Sequence, residues 1–254
     1  MSDLLTSVFA DHGLITAFAL IGLLMIASNA IGTHLFAGRI HGSAIAIMVG
    51  LVLAYVGGVV TGGEDGIADL ALFTGVGLMG GSMLRDFAIV ATAFEVNVAE
   101  VRRSGLIGIT ALGLGVVLPF IAGAACAVAF GYRDPVSIST IAAGALTYIV
   151  GPVTGTALGA DSTVIALSVA IGVMKSVSVM VITPFVARPV GLSTPASAMA
   201  FGGLMGTTSG VAAGLAATDP RLVPYGAMTA TFHTGLGCLL GPSVLFLATR
   251  AIFG

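Results

Sequence analysis

The sequence contains few charged residues. Only 8% of its 254 residues are Asp, Glu, Lys or Arg, whereas an ordinary soluble domain has about 25%. Hydrophobic residues make up 57% of the chain, and there are 37 glycines in addition. A water-facing surface cannot be built from this composition. The chain is therefore predicted to be a membrane protein that forms a single membrane-embedded domain over residues 1–254.

The sequence also lacks an excess of either charge. Nine Lys and Arg stand against eleven Asp and Glu, which gives a net charge of −2. Nucleic-acid binding needs a basic surface, and this chain has none. Cysteine is equally scarce: Cys126 and Cys238 lie in apolar runs, where buried free thiols are expected rather than a disulfide.

The common catalytic motifs are absent. The chain has no G-x-S-x-G, no H-E-x-x-H and no G-K-[ST] sequence, and its four histidines are not spaced as metal ligands. Residues Gly75, Gly77 and Gly80 match the spacing of a dinucleotide-binding loop. That loop needs a preceding strand in a βαβ unit, and no strand is predicted here. An intramembrane enzyme is therefore not indicated.

Long apolar runs indicate an all-α polytopic membrane protein with about eight membrane segments. The predicted segments are 14–37, 43–60, 70–83, 104–130, 140–160, 162–187, 197–217 and 225–250. The tetrapeptide Gly-Leu-Met-Gly occurs at 77–80 and again at 203–206. The same offset aligns the first four segments with the last four, which predicts two half-length repeats, residues 1–131 and 132–254.

Three of these segments are poorly built as continuous helices. Segment 70–83 is short and rich in glycine, and residues 201–210 hold four glycines and three consecutive hydroxyl side chains. Gly151-Pro152 is expected to interrupt segment 140–160 and to free carbonyl groups there. We therefore expect broken or re-entrant Gly-rich helices. Such interruptions in corresponding positions of two repeats are typical of the binding sites of secondary transporters.

Lys175 lies at the centre of segment 162–187. A charge so far from either membrane surface marks a substrate or ion path by default. The alternatives are a structural ion pair with Asp86 or Asp161, or a helix that bends into an aqueous cavity. His233 is interpreted either as a proton relay or, more simply, as a hydrogen-bonding contact between helices.

Four stretches carry a resemblance to a known family. They are RIHGSAIAI (39–47), GGSMLRDFAIVATAF (80–94), YIVGPVTG (148–155) and GGLMGTTSGVAAGLAATD (202–219). With them the whole chain resembles the larger subunit of the bacterial malonate:sodium symporter. The resemblance implies sodium-coupled uptake of malonate, Na⁺ as coupling ion without an organic cofactor, a smaller membrane subunit as partner, and a multi-pass location in the bacterial inner membrane. A channel remains the alternative, because it too would use glycine, threonine and exposed carbonyls.

The family resemblance supplies no binding residues, so the candidates come from the residue types. Carboxylates favour helix N-termini, hydroxyls and cations, which nominates Lys175, Thr207, Thr208 and Ser209 for the substrate. Sodium prefers oxygen ligands. The candidate sodium ligands are the carbonyls and hydroxyls of Val150, Gly151, Thr154 and Thr156.

Overall fold

The computed structural model describes residues 11–38, 40, 42–63, 66–70, 73–79 and 98–254. These residues fold into helices and turns, with no strand among them. They belong to two compact units, Met1–Ala91 and Thr92–Gly254. The prediction of an all-α membrane protein is confirmed. Four segments within the described ranges are long and apolar enough to cross a bilayer: Gly13–His34, Gly105–Ala129, Ser162–Val186 and Pro220–Phe253.

The first unit contains α1 (Gly13–His34), α2 (Gly42–Thr61), a 3₁₀ turn (Gly66–Asp69) and the short helix α3 (Thr74–Met79). Glycine allows α1 to lie close to the start of α2, since a Cβ at Gly32 would lie 2.7 Å from the carbonyl oxygen of Ile40, just before α2, and 3.6 Å from the nitrogen of Gly42, its first residue. The expected third segment begins in α3. Its remainder, residues 80–83, and the charged stretch around Arg85 and Asp86 lie outside the described residues.

The second unit begins with the long helix α4 (Val98–Ala129) and continues through two helical hairpins and two long helices. The bounds are α5 (Pro135–Leu146), α6 (Val150–Leu158), α7 (Ser162–Val186), α8 (Pro195–Met205), α9 (Thr208–Ala216), a 3₁₀ turn (Pro220–Leu222), α10 (Val223–Leu240), a π-helical turn (Gly241–Leu245) and α11 (Phe246–Phe253).

The first hairpin consists of α5 and α6. Asp134 accepts a hydrogen bond from Ser137 N at 2.7 Å and Pro135 occupies the first helical position, so α5 begins with a regular N-cap. After residues 147–149 the chain turns back. A Cβ at Gly151 would lie 3.1 Å from Gly144 Cα, and one at Gly155 would lie 2.8 Å from Thr140 Cγ2. Helix α6 therefore runs antiparallel to α5, as a re-entrant segment does.

The second hairpin, α8 and α9, is built in the same way. A capping box of Thr194 and Ser197 starts α8 with proline in its first turn. Gly206, at φ 70°, ends the helix in the left-handed conformation that favours glycine. A Cβ at Gly226 of α10 would meet Val211 of α9 at 2.9 Å and the Ala198 carbonyl of α8 at 3.3 Å. Both arms thus lie against the same point of α10.

These hairpins confirm the prediction of broken or re-entrant Gly-rich helices. They pack against α4 on one side, through a near-contact of Gly115 with Gly203 and of Gly123 with Ala142. Small residues serve this purpose in membranes because they let backbones approach closely. The predicted repeats 1–131 and 132–254 stay a prediction, since residues 80–82 of the first glycine-rich segment are not described.

The expectation that both cysteines are buried was wrong. Neither cysteine forms a disulfide with the described residues, but Cys126 is exposed and Cys238 is only half-buried. An apolar neighbourhood in the sequence predicts burial only in a water-soluble protein. In a membrane helix the same apolar run can face lipid as well as the protein interior.

Candidate functional site

The tips of the two hairpins both lie beside the long helices α7 and α10. The first tip is residues 147–149, between α5 and α6; the second is Gly206 and Thr207, between α8 and α9. Helix α7 reaches the first tip region through Lys175 and the second through Ser176. Helix α10 reaches the second tip region through His233, and a Cβ at Gly237 would lie 2.8 Å from Val150 beside the first. Both tips therefore lie near the middle of α7.

Lys175 binds the carbonyl end of a half-helix. Its Nζ donates to the oxygens of Ala145 at 3.0 Å and Leu146 at 2.9 Å, the last residues of α5. These carbonyls have no intrahelical N–H partner and form the negative end of the helix dipole. An ammonium group has three N–H donors. One donor is therefore left for a ligand between the tips.

The ion pairs considered for Lys175 are not formed by the described residues. Asp161 instead caps the start of α7, where its carboxylate accepts from Thr163 N at 2.8 Å. Asp86 lies outside the described ranges. Within those ranges no carboxylate forms a salt bridge with Lys175. The ammonium is compensated by backbone dipoles rather than by a counter-charge.

The predicted substrate residues occupy the N-terminus of α9. Thr207 is buried and caps the helix, with Oγ1 accepting from Gly210 N at 3.4 Å. Thr208 and the half-buried Ser209 follow in the first turn, and the Thr208 hydroxyl lies 3.4 Å from that of Thr231 on α10. The structure brings Thr207 towards Lys175 because Ser176, the next residue on α7, shares a hydrogen bond with the Thr207 hydroxyl.

The predicted sodium ligands all lie on α6, within the helix rather than at the break in the chain. The expected break at Gly151-Pro152 lies earlier, at residues 147–149. Pro152 falls in the first turn of α6, where an N–H would have no intrahelical acceptor, so proline does not interrupt the helix. Consequently the free carbonyls are those at the end of α5, and not those of Val150 and Gly151.

The four predicted sodium ligands divide between two faces of α6. Val150, Gly151 and Thr154 are buried, whereas Thr156 is exposed. The Thr154 hydroxyl is fully buried and has no hydrogen-bond partner within the described part of the chain. It points at Gly241, the first residue of the π-helical turn. Turns of this kind are frequent at functional sites.

Sequence analysis missed several residues of this region. Thr147 lies at the end of α5, and its Oγ1 accepts hydrogen bonds from Ile149 N at 3.1 Å and Val150 N at 3.3 Å just before and at the start of α6. The sequence does contain a pattern that could have identified them. It is a second, shorter internal similarity, between the two hairpins. Each hairpin starts at a capped proline, turns at a threonine, and is followed by an aspartate cap and then by a long helix. The matching pairs are Pro135 and Pro195, Thr147 and Thr207, Asp161 and Asp219, and Lys175 and His233.

The aspartate caps lie outside the membrane-spanning helices and favour their charged forms. The backbone N–H of Thr163 lowers the pKa of Asp161 below its usual value. Hydrogen bonds from Arg221, at 2.8 and 3.0 Å, lower the pKa of Asp219. Both hairpins are thus anchored at their return ends by ionised carboxylates.

A cavity of about 540 Å³ opens between α7 and α8. Lys175 lies at one end of it, and Val190 and Leu192, beyond the end of α7, at the other. Its walls are mainly aliphatic. The cavity therefore connects the mid-membrane ammonium with the region where α7 ends, and its volume is ample for a small carboxylic acid.

Comparison with known proteins identifies the family. A family model described as the malonate/sodium symporter MadM subunit matches residues 5–253. No match was found among curated proteins or among solved structures. The family match covers almost the whole chain, including both hairpins and the two long helices beside which their tips lie. The chain belongs to the MadM subunit family of malonate/sodium symporters.

Proposed function

We propose that this chain is the larger of two membrane subunits of a sodium-coupled symporter that takes malonate, or a similar small dicarboxylate, into the cell across the bacterial inner membrane. The observation that supports this most strongly is that the two hairpin tips lie against neighbouring residues of α7, the first at Lys175 and the second at Ser176. Irregular backbone at membrane depth is tolerated where it lines a cavity or a binding site.

The proposed substrate site lies between Lys175 and the N-terminus of α9. The free N–H groups and positive dipole end of α9 favour a carboxylate at Thr207, Thr208 and Ser209. The remaining donor of Lys175 adds a charge-assisted hydrogen bond from the neighbouring helix. A carboxylate placed there restores the charge balance that Lys175 lacks among its described neighbours.

The proposed sodium site lies on α6, at Val150, Gly151, Thr154 and Thr156. Thr154 supports it best, because its buried hydroxyl oxygen has no hydrogen-bond partner among the described residues. Leaving a buried hydroxyl unsatisfied costs about 1–3 kcal/mol. A cation that takes this oxygen as a ligand removes that cost. Thr156 faces away from Thr154, so it joins the same ion only if α6 moves.

The experiment is sodium-driven malonate uptake and counterflow in proteoliposomes, with and without the smaller subunit. A transporter shows uptake that saturates with malonate and collapses without a sodium gradient. A channel shows a flux that follows the membrane potential and does not saturate at low concentration. Turnover of malonate in detergent would instead indicate an enzyme.

Lys175→Met tests the site within the same assay. Methionine keeps the length of the side chain but removes both the charge and the bonds to α5. We expect uptake to fall at least about ten-fold, equivalent to about 1.4 kcal/mol. Arg188→Met, at the exposed end of α7, removes a cation away from the tips and should leave uptake near the wild-type rate. Normal uptake by Lys175→Met would contradict the proposed site.

A further inference from the structure

His233 is a fully buried histidine to which the proposed site gives no role. Its Nδ1 lies 2.9 Å from the carbonyl oxygen of Gly203. A carbonyl can only accept, so Nδ1 carries the proton and donates it. The other ring nitrogen, Nε2, is buried and has no hydrogen-bond partner within the described residues. The hydrogen bond to Gly203 explains the position of Nδ1, but it does not explain why the polar Nε2 is buried.

The unpaired nitrogen lies at the tip of the second hairpin. A Cβ added to Gly206 would collide with Nε2, so the ring rests directly on this glycine. Gly206 is followed by Thr207, whose hydroxyl is bonded to Ser176, the neighbour of Lys175. Nε2 and Lys175 therefore belong to the same mid-membrane region.

His233 is also the counterpart of Lys175 in the second hairpin. Each side chain reaches back to a carbonyl 30 positions earlier, Lys175 to Ala145 on α5 and His233 to Gly203 on α8. Each long helix thus carries one nitrogen donor at the carbonyl end of its own hairpin's first arm. After that bond, each side chain still has one group that can form a further hydrogen bond: one N–H on Lys175 and Nε2 on His233.

We propose that His233 is a substrate-recognition residue whose Nε2 binds the second carboxyl group of the dicarboxylate, while Lys175 and the α9 N-terminus bind the first. This rests on the proposed transport function. Because Nδ1 donates to Gly203, one further proton lies between Nε2 and the carboxyl oxygen, held by either partner. A monocarboxylate engages the Lys175 side alone, so His233 distinguishes dicarboxylates from monocarboxylates.

The test separates the two ring nitrogens. In His233→Asn the side-chain amide nitrogen takes the place of Nδ1 and preserves the bond to Gly203, but nothing replaces Nε2. In His233→Gln the amide reaches the position of Nε2. His34→Asn, at an exposed histidine in the last turn of α1, is the matched control. Each variant is reconstituted with the smaller subunit, and its thermal midpoint in detergent is recorded.

We expect His233→Asn to raise the KM for malonate about ten- to hundred-fold, as the loss of one charge-assisted hydrogen bond would. Inhibition of uptake by acetate or propionate should be unchanged, and His233→Gln should recover part of the malonate affinity. A wild-type KM in His233→Asn overturns the proposal. So does an equal loss of affinity for malonate and monocarboxylates, which indicates a purely structural histidine. Absence of sodium-dependent malonate uptake in the unmodified protein overturns the transport function itself.

Discussion

Ser176 and Thr207 join helix α7 to the tip of the second hairpin through a hydrogen bond between two buried hydroxyl groups. Thr207 also caps α9, so one side chain both starts a half-helix and fixes its position against α7. Since Ser176 follows Lys175 in the chain, this bond also holds the α9 N-terminus at the level of Lys175 along α7.

This pair can be tested by a double-mutant cycle. Thr207→Val removes the cap and the bond to Ser176, and should lower the free energy of unfolding by about 1–2 kcal/mol. Ser176→Ala leaves the cap in place and should cost about 1 kcal/mol. Because the two residues share one bond, the double variant should be destabilised by about 0.5–1 kcal/mol less than the sum. Chemical denaturation in detergent measures all three, and strict additivity would contradict the coupling.

Gly172 is predicted to be intolerant of any side chain. A Cβ there would collide with the backbone of Tyr148 at the first hairpin tip. Gly172→Ala should therefore destabilise the protein by about 1–3 kcal/mol and reduce malonate uptake, because α7 and the tip must separate.

Gly113→Ala on α4 provides the control for this substitution. No atom lies within 4 Å of a Cβ at Gly113. Alanine is the better helix former by roughly 1 kcal/mol, so this variant should be as stable as the wild type or slightly more so. Equal thermal midpoints for the two variants would show that α7 does not depend on the close approach at Gly172.

Thr154→Val tests the sodium site without changing the shape of the side chain. The Thr154 hydroxyl has no partner within the described residues, so its loss should not lower stability. It should raise the sodium concentration for half-maximal uptake roughly ten-fold, or about 1.4 kcal/mol.

Thr140→Val is the matched variant on the other arm of the hairpin. Thr140 is equally buried, but its hydroxyl donates to the Val136 carbonyl at 2.8 Å. This variant should keep the sodium dependence of the wild type. If Thr154→Val and Thr140→Val shift the sodium dependence equally, the hydroxyl of Thr154 is not a ligand.

Asp161 is expected to make a pH-dependent contribution to the stability of the folded protein. Its pKa is lowered from the usual 3.8, chiefly by the backbone N–H of Thr163. A carboxylate whose pKa is lower in the folded state stabilises the protein above the unfolded-state pKa, and this contribution is lost as the pH falls through the folded-state pKa. Asp161→Asn should therefore have a lower thermal midpoint than the wild type at pH 6, and the difference should shrink towards pH 3. A difference independent of pH would indicate that the charge is not involved.

Most of the fold could be predicted from the sequence because the solvent is a bilayer. Apolar runs long enough to cross it stand out from composition and length alone. Helices α1 and α7 lie within a few residues of the predicted bounds, and the predicted segment 225–250 corresponds to α10 and α11 together with the π-helical turn between them. The hairpins were predictable only as segments that would not form one continuous helix. Glycine, hydroxyl residues and proline signal that a helix will be interrupted, but the tip of the first hairpin lies at 147–149, where the Thr147 hydroxyl accepts from the N–H groups of Ile149 and Val150.

The site was predictable in part for the same reason. A lysine in the middle of a membrane segment indicates a functional position, because placing its charge inside the bilayer costs free energy. The hydroxyl residues at 207–209 indicate the start of a helix. His233 and Ser176 could not be selected from the sequence, because a single polar residue in a membrane helix is more often a contact between helices. Their importance depends on which carbonyl or hydroxyl lies opposite them.

The sequence by itself determined the membrane location, the helical class, the family and the two residue types, lysine and a threonine-rich turn, from which an anion site can be built. Only the tertiary structure decided that both interrupted segments fold back as hairpins, and that the first tip lies beside Lys175 and the second beside Ser176 and His233. The physical reason is that hydrophobicity and helix propensity act along the chain. The direction of a re-entrant arm, and the partner of a buried polar atom, depend instead on close approaches between helices distant in sequence, such as those at Gly172 and Gly206.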